Sequence, residues 1–504
     1  MRLGALVAGT DVRPVSGSLD VDVAGVAIDS RRVTPGDVFF ALHGRQTDGR
    51  RFVADALARG ARAVVAPEPV DVPIDVPNLT VLVATNPRAV LAAVAARLAG
   101  DPSAHMTLVG VTGTNGKTTT THLLEGIWRA AGFSPGVIGT IAYRFAGESR
   151  PAPLTTPEAP DVQRLLAEMR AAGVTHAVME ASSIAIVEER TTALHFDAAV
   201  FTNLTLDHLD LHGDMETYYA AKARLFTELL PASGKPDPVA VVNVDDPQGM
   251  RLAGAIRTRC VPFGRGPDAV VRLVDVESTL RGTRGVLALG TSRLAFSSPL
   301  VGAPHSENIA AAAATAWATG VHLDAIAAGI EATYPPAGRV EQIAGPGFTV
   351  VVDYAHTPDA LERVLDALRP LASGELIAVF GCGGDRDRTK RPVMGEAAAR
   401  RADAVVLTSD NPRTEEPNAI LADIERGVRA AGMDRLPALR PGGRGYVVEA
   451  DRPAAIALAI EAARPGDVVL VAGKGHEDYQ IIGTVKHHLD DREEVERALA
   501  RRSA

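Results

Sequence analysis

The stretch Leu108-Val109-Gly110-Val111-Thr112-Gly113-Thr114-Asn115-Gly116-Lys117-Thr118-Thr119 decides how the chain is read. Residues 108–111 form a short apolar run, and residues 121–131 continue as a helix. Strand, glycine turn and helix, in that order, are the context of a phosphate loop. Such a turn points backbone N–H groups and the positive end of the helix at a polyphosphate. In that frame Gly113, Thr114, Asn115, Gly116, Lys117, Thr118 and Thr119 hold a nucleotide. Lys117 reaches the β- and γ-phosphates of ATP, and Thr118 offers its hydroxyl to Mg2+. Val111 stands where the general pattern has its first glycine. Stripped of its flanks, the string reads as a tight glycine turn with a solvated lysine; the strand and helix around it favour the phosphate loop.

Working outward, 504 residues exceed one compact core and predict about three domains. With 46% hydrophobic and 22% charged residues, the composition is that of a soluble globular protein. A net charge of −9 argues against a general nucleic-acid binder. No run approaches the ~20 apolar residues of a membrane span, so no membrane insertion is expected. Residues 1–10 lack the charged region, apolar core and cleavage site of a signal peptide. Cys260 and Cys382 lie far apart, which suggests neither a disulfide framework nor a metal knuckle. A reduced, cytoplasmic setting and a monomer are expected.

The first hundred residues mix short elements: a strand at 38–42, a helix around 52–59 stopped by Gly60, and a strand at 63–66. Asp101-Pro102-Ser103 reads as a linker. Apolar runs at 177–179, 198–201 and 239–242 then alternate with helical stretches such as 161–172 and 308–318. That is the pattern of buried parallel strands with crossover helices. Tyr334-Pro335-Pro336-Ala337-Gly338 breaks the chain and reads as a hinge. Further strand and helix segments follow at 349–352, 361–368, 376–380, 404–407 and 468–471. The fold class is α/β in three domains: 1–102, a central phosphate-loop domain with a mostly parallel sheet at 103–336, and a Rossmann-like C-terminal domain at 337–504.

Glu180 ends one apparent strand, and Asn203-Leu204-Thr205-Leu206-Asp207-His208-Leu209-Asp210 follows another. Ligands of open α/β sheets bind at the carboxyl ends of strands, so both segments can converge beside the phosphate loop. A carboxylate and an imidazole there can hold a second Mg2+, although His208 taken alone reads as a hydrogen-bonded structural histidine. Lys222, within a helix at 218–226, taken alone reads as a surface charge. In Asp353-Tyr354-Ala355-His356-Thr357-Pro358-Asp359, either Thr357 or Asp359 opens a helix with Pro358 in its first turn. Three loops in the last third each follow an apolar strand: residues 383–388, 410–413 and 473–477. Their arginines offer forked donors to carboxylates, and Asp410 and Glu477 can receive an ammonium group. A pocket with both kinds of group suits a zwitterionic amino acid.

Taken together, these strings resemble the Mur ligase family of peptidoglycan synthesis, over nearly the whole chain. Asp29-Ser30-Arg31 and Pro35-Gly36-Asp37-Val38-Phe39-Phe40 are similar to the family's UDP-binding domain, and Thr155-Thr156-Pro157-Glu158, Glu180-Ala181-Ser182-Ser183 and the strings above follow in family order. The resemblance implies an ATP-dependent ligase that adds meso-2,6-diaminopimelate to UDP-N-acetylmuramoyl-L-alanyl-D-glutamate through an acyl phosphate. It implies Lys117, Lys222, His208 and Glu180 as catalytic groups, with Thr118, Glu180 and His208 on Mg2+ and Lys222 carbamylated. Asn308, Arg339 and Asp353 join the phosphate loop in binding ATP. Ser30, with segment 43–47, faces the uridine, while Thr155, Thr156, Ser182 and Arg190 hold the muramoyl dipeptide. Arg386, Asp410, Asn411, Arg413, Gly473 and Glu477 receive diaminopimelate.

The chain departs from the family pattern at three places. Ile184 stands where a histidine usually follows the paired serines, Leu206 replaces a usual arginine, and Ala303-Pro304-His305-Ser306 stands for Arg-Phe-Asn-Val. The retained Lys117, Glu180, His208 and Lys222 point to an active enzyme. The alternatives are a sister ligase that adds L-lysine, a folylpolyglutamate synthase-like ligase, and a non-catalytic ATP-binding scaffold. The sequence identifies no base for the incoming amine.

Overall fold

The computed structural model describes residues 1–44, 47–70 and 79–503. Residues 45 and 46 of the expected uridine segment lie outside the described residues. The described chain is mixed α/β, built on three large sheets in sequence order and one two-stranded ribbon.

The first sheet has five strands in the order Arg13–Ser16, Thr80–Val83, Ala63–Ala66, Val38–Phe40 and Val26–Ala27; only the first is antiparallel to its neighbour. The central sheet has eleven strands. Its parallel middle runs Val271–Thr279, Arg259–Gly264, Val239–Asn243, Ala198–Phe201, Thr107–Thr112, His176–Glu180 and Pro135–Ile138. Antiparallel strands extend it at both ends, Gly282–Leu289 with Ser292–Ser298 on one side and Ala142–Phe145 with Glu148–Pro151 on the other. The alternating exposure along Val271–Thr279 and Ser292–Ser298 is that of strands with one solvated face, which the search for continuous apolar runs passes over.

Helices cover both faces of the parallel middle. Lys117–Ala130, Ala303–Ala318 and Leu323–Ala332 enclose one core, and Ala159–Ala171 and Met215–Arg224 enclose the other. Residues 310–314 are all alanine and fully buried, so the helix carrying them lies close to the phosphate-loop helix and the sheet. The C-terminal sheet has the order Glu341–Ala344, Thr349–Asp353, Val468–Ala472, Leu376–Phe380, Ala404–Leu407 and Gly445–Val448, all parallel except the first. It too is covered on both faces, as in a doubly wound fold.

Two expectations change. Asp101-Pro102-Ser103 is not a loose linker: Pro102–His105 is a 3-10 helix, Pro102 and Ser103 are buried, and Ser103 Oγ accepts the His195 N–H at 3.1 Å. The helix carrying Lys222 ends at Arg224 and passes into a π-helical turn, Leu225–Leu229. The hinge segment is free at one end and tied at the other. Tyr334 is 75% exposed, whereas Gly338 has φ +63° and a Cβ there would fall 2.0 Å from the carbonyl carbon of Gly475. Only glycine permits that approach. Among the described residues no helix is long and apolar enough to cross a membrane.

Candidate active site

The strand Thr107–Thr112 lies between Ala198–Phe201 and His176–Glu180. That register delivers the phosphate loop, the Asn203 string and Glu180 to one carboxyl edge, as expected from sequence. The Thr114 N–H donates to the Asn203 carbonyl and the Asn115 N–H to Asn203 Oδ1, both at 2.9 Å. Gly116 has φ +89°, and a Cβ there would sit 2.3 Å from Asn308 Oδ1. Asn308 thus braces the loop from the neighbouring helix.

Lys117 Nζ donates to the carbonyls of Gly113 (2.8 Å) and Thr114 (2.9 Å). Lys222 Nζ donates to the same Gly113 carbonyl at 3.0 Å and lies 4.5 Å from the Tyr218 ring centre. Two amines meet one oxygen in a buried place, and Lys222 is only 1% exposed, so it is no surface charge. Burial first, then the charge of Lys117, pushes the Lys222 ammonium well below the usual lysine range. Burial lowers Lys117 as well.

Glu180 is buried and held from three sides. Thr118 Oγ1 donates to Oε1 at 3.0 Å, and Thr140 donates its N–H to Oε1 and its hydroxyl to Oε2, each at 2.9 Å. Sequence reasoning missed Thr140; its signal is its place just past Pro135–Ile138, the strand next to Glu180's own. His208 takes a left-handed φ of 55° and its Nε2 lies 3.3 Å from Asp207 Oδ2. Its imidazole is partly exposed, and burial lowers its pKa more than Asp207 raises it. Burial pushes the Asp207 carboxyl up, but His356, His208 and Lys390 outweigh that and hold it below its usual value. Thr118 and Glu180 are thus brought together, with His208 in the adjacent loop. Among the described residues no three His, Cys, Asp or Glu side chains form a ready metal cluster.

Beyond Glu180, Thr155 Oγ1 meets Thr140 Oγ1 at 3.1 Å, and Thr156 Oγ1 donates to the Glu180 carbonyl (2.7 Å) and to Ser182 Oγ (3.3 Å). Arg190 donates to the Thr156 carbonyl at 3.0 Å and pairs with Glu158 at 2.8 Å and with Glu188. The first domain docks on this wall: Asn86 reaches Glu189 (3.2 Å), Arg88 reaches Glu158 (3.5 Å), and Arg32 reaches Asp161 (3.9 Å). Ser30, buried, heads the 3-10 turn Ser30–Arg32 that carries Arg32. Next to Ile184, one of the departures from the family pattern, Ser183 Oγ lies 3.0 Å from His212 Nε2.

In the C-terminal domain Val468–Ala472, Leu376–Phe380 and Ala404–Leu407 are adjacent, so the three expected loops share one sheet edge. Asn411 Nδ2 donates to Glu477 Oε2 at 2.9 Å. Lys474, fully buried, lies 3.3 Å from Asn411 Oδ1, 3.4 Å from Glu477 and 3.8 Å from Asp410. It was not singled out from sequence, although a lysine between two glycines after an apolar strand was its signal. Arg413, with φ 52°, donates to the Gly384 carbonyl at 2.8 Å, and Gly473 N–H donates to the Asp353 carbonyl at 3.0 Å. Arg386 stands exposed, 3.5 Å from its neighbour's carbonyl. Behind the pocket, Arg452 and Asp491 form a fully buried fork with two 2.7 Å bonds.

The two edges face each other. Thr357 caps the helix Pro358–Leu368 with its hydroxyl, which frees Asp359 to accept from Asn115 Nδ2 of the phosphate loop at 3.1 Å. Arg363 bridges Asp359 (3.1 Å) and Glu307 (3.6 Å). Asp353 accepts the N–H groups of Val340 and Ala355, both at 2.8 Å, and burial pushes its carboxyl up. The Arg339 guanidinium lies 4.4 Å from the Tyr354 ring centre, and the Tyr354 hydroxyl 3.5 Å from Glu477 Oε1. At the departure 303–306, His305 Nε2 lies 3.3 Å from the Arg339 carbonyl, linking that helix to the hinge segment.

Known proteins are similar to this chain in sequence and fold. Residues 22–100 match the "Mur ligase family, catalytic domain", residues 111–316 the "Mur ligase middle domain", and residues 338–475 the "Mur ligase, glutamate ligase domain". A UDP-N-acetylmuramoyl-L-alanyl-D-glutamate--2,6-diaminopimelate ligase of Geobacter metallireducens is 47% identical, covering 98% of this chain and 98% of its own. The enzyme of the same name from Gloeobacter violaceus is 46% identical over 100% of this chain and 99% of its own. A solved structure of a protein with that name superposes with a TM-score of 0.71 at 33% identity, covering 100% and 99% of the two chains. The chain belongs to the Mur ligase family.

Proposed function

We propose that the chain adds meso-2,6-diaminopimelate to UDP-N-acetylmuramoyl-L-alanyl-D-glutamate with consumption of ATP, in the cytoplasmic assembly of peptidoglycan precursors. The observation that carries this reading is the 47% identity, end to end, with a relative named for that ligation. The domains run 1–102 for the uridine end, 103–336 for ATP and 337–504 for the amino acid, and the enzyme works as a monomer without nucleic acid.

A carboxylate is a poor electrophile, so the D-glutamyl carboxylate first takes the γ-phosphoryl of ATP and gains a leaving group. Such a transfer needs positioning and charge neutralisation more than covalent help. Gly113 to Thr119 cradle the phosphates, and Lys117 exchanges its two carbonyl partners for phosphoryl oxygens. Asn308, Arg339 and Asp353 secure the rest of the nucleotide. The hydroxyl of Thr118 against the Glu180 carboxylate is a donor set that suits Mg2+, with His208 as a further ligand. Bound there, the ion neutralises developing charge on phosphoryl oxygen. Burial lowers the Lys222 pKa and so favours the neutral amine that adds to CO2, which supports carbamylation. The carbamate so formed sets a negative charge beside the Lys117 ammonium.

Ser30 and segment 43–47 take the uridine end, and Thr155, Thr156, Ser182 and Arg190 orient the dipeptide. Asp410, Asn411, Gly473 and Glu477 receive the reacting end of the amino acid, while Arg386 and Arg413 receive carboxylates, Arg413 the distal one that lysine lacks. The test supplies purified protein with ATP, the UDP-muramoyl dipeptide, and either meso-diaminopimelate or L-lysine, with products weighed by mass spectrometry. Amide with diaminopimelate is expected. Preference for lysine, or no amide and no ATP consumption, overturns the reading.

A further inference from the structure

The ligation needs an acceptor for the proton of the incoming ammonium group, because only the free amine has a lone pair to attack with. We infer that His356 is that acceptor, through Nε2 at the junction between the phosphate-loop edge and the amino-acid pocket. This rests on the ligase reading above and deepens it.

Three observations carry the assignment. His356 Nδ1 lies 2.9 Å from the carbonyl oxygen of its neighbour Tyr354. A carbonyl only accepts, so Nδ1 carries the hydrogen, and the lone pair of the ring resides on Nε2. Nε2 makes no hydrogen bond among the described contacts, nor is it one of the sealed, unpartnered buried atoms. The second observation is place. His356 follows the strand Thr349–Asp353 and sits beside Tyr354 (ring centres 4.7 Å apart), whose hydroxyl is 3.5 Å from Glu477 in the amino-acid pocket. Across the junction, Asp207 of the central-domain loop lies within electrostatic reach of the ring. The amine comes from the first side and the activated carbonyl from the second, so their meeting point is beside this ring. The third is anchoring: Lys390 Nζ donates to the His356 carbonyl at 2.9 Å, which fixes the backbone.

The charges around the ring are Asp207 on the central-domain loop, Lys390 at the start of the helix Lys390–Arg401, Arg339 just past the hinge segment, and His208 and His476 on facing loops. Burial, with Lys390, keeps the imidazole below its ordinary value and hence neutral at pH 7. In the step, one ammonium proton passes to Nε2. The nitrogen lone pair then forms the C–N bond, the acyl C–O bond to phosphate breaks, and the departing phosphate takes the second nitrogen proton. The imidazolium returns its proton to water.

Hydroxylamine distinguishes this role from a structural one, because it is already an unprotonated amine at neutral pH and needs no acceptor. His356→Gln and His356→Asn are assayed with diaminopimelate for amide and, separately, with hydroxylamine in its place for hydroxamate. General-base removal is worth about 10²- to 10⁴-fold. Amide formation is expected to fall at least about 100-fold, with hydroxamate formation within about threefold of wild type. Parallel loss of both products, or loss of neither, overturns the assignment. Failure of the wild-type protein to make either product instead sinks the ligase reading on which it rests.

Discussion

The phosphate-loop edge and the amino-acid edge are built alike, as loops at the carboxyl ends of parallel strands, yet their charges are arranged in opposite ways. At the first, Lys117 and Lys222 crowd one carbonyl, and burial works against both charges. At the second, Lys474 is compensated by Asp410, Asn411 and Glu477 within 3.8 Å. The first edge holds two amines whose charge burial disfavours, so a polyphosphate or a carbamate supplies the anion the fold lacks. The second is already neutralised, so a zwitterion must replace existing bonds pair for pair. Affinity is built into one edge and selectivity into the other.

The strongest way to break this contrast is at Lys117. Lys117→Ala is expected to lower substrate-dependent phosphate release by about 10³-fold, roughly 4 kcal/mol of transition-state stabilisation. Retention of more than a tenth of the wild-type rate would show that the loop does not depend on this charge. Lys222→Met comes next, with about 100-fold lower activity from the loss of an anion-forming side chain. The same change should raise stability by about 1–3 kcal/mol in CO2-free buffer, because it removes a buried amine while Lys117 still satisfies the Gly113 carbonyl. The sign with pH follows. The folded state lowers the Lys222 pKa from 10.5, so between the two values the unfolded chain binds the extra proton. Wild type therefore gains on Lys222→Met as pH rises toward 10.5, by at most about 1.4 kcal/mol per pH unit. Denaturant melts at several pH values read this directly, and a gap that widens with pH contradicts it.

The two edges also differed in how much of them could be read from sequence. The phosphate loop was legible because glycine, lysine and hydroxyl must be contiguous to wrap a phosphate, and their flanking strand and helix are contiguous too. The three C-terminal loops were legible as strand ends, and their adjacency follows from the strand order. The partners that fix each group came from distant segments: Thr140 on Glu180, Asp359 on Asn115, Tyr354 between Arg339 and Glu477. Nothing in the spacing of 115 and 359 announces a 3.1 Å bond, since only the tertiary fold brings them together. Burial was equally hidden. Lys222 and Lys474 look like surface charges in a string, and only packing reveals them as 1% and 0% exposed. The edge strand Ser292–Ser298 of the central sheet escaped because a half-exposed strand alternates rather than forming an apolar run.

At the amino-acid edge, Arg413→Lys keeps the charge but loses the planar fork, and its bond to the Gly384 carbonyl becomes hard to reproduce. The Michaelis constant for diaminopimelate is expected to rise about 10- to 30-fold, near 1.4–2 kcal/mol, with the constant for ATP unchanged. Equal rises in both constants would mean that Arg413 holds the domain junction rather than the substrate.

Arg386 should matter least, and for a reason the contrast supplies. It is exposed and its sole described hydrogen bond, 3.5 Å long, is to its neighbour's carbonyl, so no network is lost when it goes. An exposed cation also meets a carboxylate in high dielectric, where such pairs are worth about 0–1 kcal/mol. Arg386→Ala is therefore expected to raise the Michaelis constant for diaminopimelate by about two- to fivefold at low salt. The difference should fade above about 0.3 M salt, where the screening length drops well under 10 Å. A tenfold or salt-independent effect would place Arg386 inside a closed pocket, and would make the amino-acid edge as dependent on an unpaired cation as the phosphate loop.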